Sequence, residues 1–251
     1  MAVRERITYD EFDDFIARRE NAERLFELIN GEIVEKMPTL QHGFVAALIG
    51  ALLNLYLLKH DIGNVYVEGR YRVQNDRYND RLPDVSFVAY ANDKPMVVEG
   101  AAPFIPDLAV EIRSPGDSAK VMAEKAQYYL LNGCRMVWLV YPQKRVIEVL
   151  TPDDRDILTE GEMLDGGDVL PGFRVPVTGG EDSVDRGRLP LVGPDEAPER
   201  TVVQLTPELR GDVVGLVPTF AHGVARALES DDAGFAELLE GGVDLVVGRD
   251  R

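Results

Sequence analysis

LPDVSFVAY (82–90), PDLAVEIRSP (106–115), EKAQYYLLNG (124–133) and MVWLVYP (136–142) follow one another along the chain, and their patterning decides the fold. In the first segment Asp84, Ser86 and Val88 fall on one side of an extended backbone, while Val85, Phe87 and Ala89 fall on the other. In the second, Ala109, Glu111 and Arg113 alternate with Leu108 and Val110 until Ser114-Pro115 stops the strand. The third predicts a helix from about 118 to 131, closed at Gly133. On that helix Val121, Lys125, Tyr128 and Tyr129 recur at three- and four-residue spacings, which puts Lys125 on the face that meets the sheet edge. The fourth is nearly all apolar, as a buried central strand should be, and KRVIEVLTP supplies its neighbour. Glu111, set between Val110 and Ile112, is the residue that needs explaining. A buried carboxylate is costly unless a cation, a hydrogen-bond donor or a metal lies beside it.

Upstream, ITYDEF predicts a capped helix with Thr8 at the cap and Glu11 three positions on. LFELI and EIVEK flank Asn30-Gly31, a strong hairpin turn, and Glu27 shares the side of Leu25 and Ile29, which makes it a candidate inward carboxylate. Residues 41–60 form the strongest helix signal, with an expected sheet-facing stripe of Phe44, Leu48, Ala51, Leu52, Leu55 and Tyr56. His42 lies in its first turn, where a surface or capping histidine and a supporting site residue are both open readings. Residues 64–73 alternate as a strand that neighbours the Asp84 strand. The expected fold is an α/β (α+β) core with a central mixed sheet flanked by helices, including a crossover helix between the Glu111 and Trp138 strands. It spans 1–180; an acidic linker with proline and glycine follows at 181–200, and a small, helical C-terminal extension at 201–251.

The net charge of −17 argues against broad adhesion to nucleic acid, yet a local basic cluster of Arg70, Arg72, Arg77 and Arg81 precedes Asp84. Those arginines read either as a groove lining or as solvated residues on a turn. A single cysteine, Cys134, excludes an internal disulfide framework and a thiolate-rich zinc site, and it reads as packing. No apolar run approaches a membrane span, and a soluble cytoplasmic protein with no membrane partner is expected. Two inward carboxylates on adjacent strands, a neighbouring backbone carbonyl and a lysine would suit a hard divalent ion and, with it, phosphodiester hydrolysis.

The ordered set FELINGEIV, the following histidine, LPDVSFV, PDLAVEIRSP, the lysine and tyrosine of EKAQYYLLNG, WLVYP and LPGFRVPV resembles the Uma2 family of the PD-(D/E)xK nuclease superfamily, over about residues 5–178. The resemblance implies a restriction-endonuclease-like fold and a Mg²⁺-dependent DNA endonuclease, with Mn²⁺ as a substitute ion. It matches Asp84 to the aspartate of the PD motif and Glu111 to the following strand acid. Arg113 stands where the superfamily has its lysine, and Lys125 takes that role from the helix. The implied catalytic set is Asp84, Glu111 and Lys125. The implied metal ligands are Asp84, Glu111, the carbonyl of Ile112 and Glu27, with His42 and Arg113 as supporting residues. DNA as substrate and a homodimer are inherited from the same resemblance. Two other classes remain open: a noncatalytic nucleic-acid-binding or regulatory protein on the nuclease fold, and an interaction module whose extension docks on another protein.

Overall fold

The structure is a computed structural model and describes residues 6–92 and 94–177. The linker at 181–200 and the helices expected in the extension at 201–251 lie outside the described residues.

Helix α1 (Tyr9–Ile16) opens the domain with a capping box, in which Thr8 and Glu11 satisfy each other's backbone N–H groups. Strands β1 (Leu25–Ile29) and β2 (Glu32–Lys36) form the expected antiparallel hairpin. Asn30 and Gly31 both adopt positive φ, at 52° and 82°, as a tight two-residue turn of this kind demands. Next come α2 (Leu40–Leu57), β3 (Gly63–Val67) and β4 (Val85–Ala89). The chain continues through β5 (Leu108–Ile112), α3 (Ala119–Leu131), β6 (Met136–Tyr141), β7 (Val146–Leu150) and β8 (Arg155–Thr159). Short strands β9 (Met163–Asp165) and β10 (Arg174–Pro176) pair with each other.

One mixed sheet of six strands, ordered β3-β4-β5-β6-β7-β8, carries the domain. Only β5 and β6 run parallel, and α3 supplies the crossover between them, as the sequence requires. The sheet has an apolar layer on each face. One contains Phe87, Leu108, Val110 and Trp138 with Leu53 of α2, and the other contains Ala109, Val137 and Leu139 with Met122, Ala126 and Tyr129 of α3. This is the restriction-endonuclease-like α/β core expected from the sequence.

Three local expectations are corrected. The buried stripe of α2 is His42, Ala46, Gly50 and Leu53, whereas Phe44, Ala51 and Leu55 face outward. Because the helix is apolar on all sides, periodicity could not choose its phase. By length and composition, at 18 residues and a mean hydropathy of 1.5, it also meets the requirements of a membrane span, although no run of that kind was expected; here it packs on the sheet. On α3 the buried stripe is Met122, Ala126 and Tyr129, and Val121 is exposed. The strand expected over 64–73 ends at Val67, because Glu68 turns into the left-handed region at φ 53°. Tyr71 then makes separate bridges to Arg81 and Ala102.

Candidate active site

Five elements bring their side chains together near Asp84, which immediately precedes β4. Leu28 of β1 exchanges backbone hydrogen bonds with Asp80, at 2.9 Å in each direction, and this docks the hairpin on the segment leading to Asp84. Period-two alternation then turns Glu27 inward, and its Oε1 accepts the Leu82 N–H at 3.0 Å. The opposite carboxylate oxygen lies 2.9 Å from the Lys125 ammonium. Glu111, on β5, receives the same ammonium on Oε2 at 2.8 Å and the Tyr129 hydroxyl on Oε1 at 2.8 Å. Lys125 therefore bridges two glutamates from different strands.

Asp84 is held from three directions. Lys36, the last residue of β2, donates to Oδ1 at 2.5 Å and to the Leu82 carbonyl at 2.7 Å. His42 Nε2 lies 3.0 Å from Oδ2, and the Ile112 N–H donates to the same oxygen at 2.6 Å. The phase of α2 makes the histidine contact possible, with Thr39 capping the helix by accepting the His42 N–H. Glu27, Asp84 and Glu111 are 1%, 2% and 2% exposed, so their charges interact with little water between them.

The electrostatics follow from this crowding. Burial opposes ionisation of Asp84, yet the His42 hydrogen bond and the Lys36 charge hold its carboxyl well below the usual range. Burial likewise opposes ionisation of Glu27, and the Lys125 and Lys36 charges with the Leu82 N–H bring it below its ordinary value. Glu111 goes the other way: burial pushes it up, the pull of Lys125 opposes this, and the neighbouring charges of Asp84 and Glu27 add to the rise. Burial would depress both lysines, but their carboxylate partners raise them above the ordinary lysine value.

All four of Asp84, Glu111, Lys125 and Glu27 converge, and His42 joins them. Ile112 contributes its N–H to Asp84. Arg113 turns away and donates through Nε to the Asp117 carbonyl at 2.9 Å. Of the arginine cluster, Arg77 is solvated, as one of the two readings had it, and the other three are engaged within the protein. Arg70 and Arg72 are spent on Asp13 and Asp80, and the buried Arg81 guanidinium lies 4.2 Å from the centre of the Tyr128 ring. The Arg81 Nε is the single buried side-chain nitrogen or oxygen without a hydrogen-bond partner among the described residues.

Sequence reasoning gave no role to Lys36 or to the Tyr129 hydroxyl. A signal for Lys36 existed: Glu27 lies opposite Val34 across the hairpin, so Lys36, two residues on, shares the face of Glu27. For Tyr129 the signal was its four-residue spacing from Lys125.

A profile described as "Putative restriction endonuclease", that of Uma2, matches residues 9–178. The chain belongs to the Uma2 family. Among solved structures, this Uma2 chain is similar to the crystal structure of a "putative nuclease" from Anabaena variabilis, with a TM-score of 0.58 and 21% identity over 68% of this chain and 95% of that one. At that identity the likeness speaks to the fold. No curated protein matches the chain.

In kind, the donors suit a hard divalent ion, since three buried carboxylates supply six oxygens. In arrangement, no group of three or more His, Cys, Asp or Glu side chains among the described residues is placed to hold one. Each carboxylate oxygen already accepts from an ammonium, imidazole, hydroxyl or backbone N–H group. An ion at this Uma2 site therefore requires a present donor to move.

Proposed function

We propose that the chain is a metal-dependent endonuclease that hydrolyses phosphodiester bonds in DNA. The observation that carries this reading is the convergence of Glu27, Asp84 and Glu111 on Lys125 and Lys36 beside the parallel strand pair. Asp84, Glu111 and the Ile112 carbonyl would hold Mg²⁺ or Mn²⁺, with Glu27 as a further oxygen donor. The ion would supply an activated water and polarisation of a phosphate oxygen. Lys125, fixed between Glu27 and Glu111, would stabilise negative charge developing on the phosphate, and Tyr129 fixes the rotamer of Glu111. His42 orients Asp84 and excludes water from its Oδ2.

Plasmid and linear DNA incubated with Mg²⁺ or Mn²⁺ test this directly. Cleavage is expected with the ion, its loss with chelator, and its loss in Asp84→Asn and Glu111→Gln. Undiminished cleavage in both variants would remove the proposed centre.

A second reading has its own support. Arg113 is committed to the Asp117 carbonyl, and the acids are neutralised within the protein, as in a nuclease fold retained for binding or regulation. That reading expects salt-dependent DNA binding with no ion-dependent turnover. A homodimer is proposed with the nuclease reading, because cutting both strands of a duplex calls for two centres. The extension would dock on another protein, and the chain would act in the cytoplasm.

A further inference from the structure

Lys36 makes close contacts at the residue that an ion would use. Its ammonium reaches Asp84 Oδ1 at 2.5 Å and the Leu82 carbonyl at 2.7 Å, so two of its three donor directions are spent on oxygens in or beside the PD motif. The ammonium thus takes oxygens of the kind a small hard cation would take, an ion whose remaining ligands would be water.

Charge balance separates the two lysines. Glu27, Asp84 and Glu111 bring three negative charges, and Lys36 and Lys125 return two positive ones. A divalent ion added to that set leaves an excess of positive charge in a space that water barely reaches, whereas the same ion with Lys36 withdrawn leaves neutrality. Lys125 is clamped between two glutamates. Lys36 has a way out: it ends β2, which pairs with β1 alone in a two-stranded sheet, and Met37 beside it is exposed. A lysine stem is flexible enough to swing its ammonium into water.

We propose that the Lys36 ammonium is a built-in counter-cation at Asp84, and that a divalent ion binds by displacing it from Oδ1. The proposal rests on the reading of Asp84 as an ion ligand. In the ion-free protein Lys36 ties the hairpin to the segment before β4. In the loaded protein the ion takes over the neutralisation of Asp84, and ion affinity is set by the cost of expelling Lys36.

The test is calorimetric titration of the full chain with Mn²⁺, in wild type, Lys36→Met and Lys36→Arg, alongside thermal unfolding with and without the ion. Lys36→Met keeps the stem and removes the charge. It should bind Mn²⁺ about tenfold or more tightly than wild type, because no ammonium opposes the ion. Its ion-free unfolding midpoint should fall, and its rise on adding Mn²⁺ should exceed that of wild type. Lys36→Arg, which keeps a cation, should stay within about threefold of wild type in Mn²⁺ affinity. Equal or weaker binding by Lys36→Met overturns the proposal, as does the absence of Mn²⁺ binding in both wild type and Lys36→Met. Should Lys36→Met fail to fold without the ion, recovery of the native circular dichroism in Mn²⁺ supports the proposal, and failure to recover overturns it. DNA cleavage read on the same preparations separates the two ideas. Tightened Mn²⁺ binding without cleavage retains the counter-cation and removes the nuclease reading; cleavage with unchanged Mn²⁺ affinity in Lys36→Met does the reverse.

Discussion

Asp80 and Asp84 are four residues apart and both buried, yet the protein neutralises them with different chemistry. Asp80 accepts from Arg70 at 2.5 Å and from Arg72 at 2.6 Å, and the same two guanidinium groups reach Asp13 of α1 at 2.9 and 2.5 Å. They also lie over Phe12 and Tyr9, so the network fastens α1 to the arginine segment. Asp84 is held instead by an ammonium, an imidazole and one backbone N–H. Guanidinium is permanently charged, planar and forked, and makes a durable fastening. A lysine ammonium is a point charge on a flexible stem and can be exchanged. The two aspartates thus separate a structural ion network from one suited to trading cations.

Removing each acid in turn separates the two networks by the largest effects. Asp80→Ala leaves two guanidinium groups short of a partner at a buried site and should cost about 3–5 kcal/mol by chemical denaturation, while the Mn²⁺ affinity of the folded fraction stays at the wild-type value. Asp84→Asn should abolish ion binding with a smaller loss of stability, since the amide keeps the shape and one of the two acceptor oxygens, and the Lys36 ammonium left without its carboxylate can swing into water. If both variants lose stability and ion binding alike, the two networks are one unit.

Acid titration sharpens the contrast further. The value of Asp84 is lowered in the folded state, so its contribution to stability is complete above about pH 4 and is lost as the pH falls through the folded value. Glu111 is raised and has the opposite sign: its contribution is present in acid and is lost as the pH rises through its folded value. Unfolding midpoints followed against pH should therefore show wild type and Asp84→Asn converging below about pH 4. Glu111→Gln should gain on wild type as the pH rises toward neutrality.

Smaller effects bound the comparison. Arg77 pairs with Asp10 at 3.5 Å, with both side chains more than 60% exposed, so Arg77→Gln should change stability by less than about 0.5 kcal/mol. Cys134 takes part in neither network. Burial pushes its thiol up to about 12, so native protein at pH 8 should resist iodoacetamide until it is unfolded, as mass spectrometry would show.

Much of the site was legible because strand alternation is a strict code. The PD segment, LAVEI and the hairpin each place an acid on a definite face, and helix spacing placed Lys125 at the rim of the buried stripe of α3. His42 was named as a supporting residue, but the residues alone left a capping role equally open, because α2 is apolar around its circumference and nothing local fixes which side meets the sheet. Lys36 follows from hairpin register once Glu27 is known to face inward, but a lysine at the end of a strand reads first as an edge charge. Arg70 and Arg72 were not legible as an ion network for a related reason: their partners, Asp13 and Asp80, lie in different segments, and ion pairs between distant residues leave no local period.

The most direct test is a crystal structure of the full chain grown in Mn²⁺, with the ion located by anomalous scattering. One peak shared by Asp84 and Glu111 is predicted, with Lys36 withdrawn from Asp84 Oδ1 and Lys125 still bridging Glu27 and Glu111. A structure at saturating Mn²⁺ with no peak at the two acids, and the Lys36 ammonium still on Asp84, would contradict it.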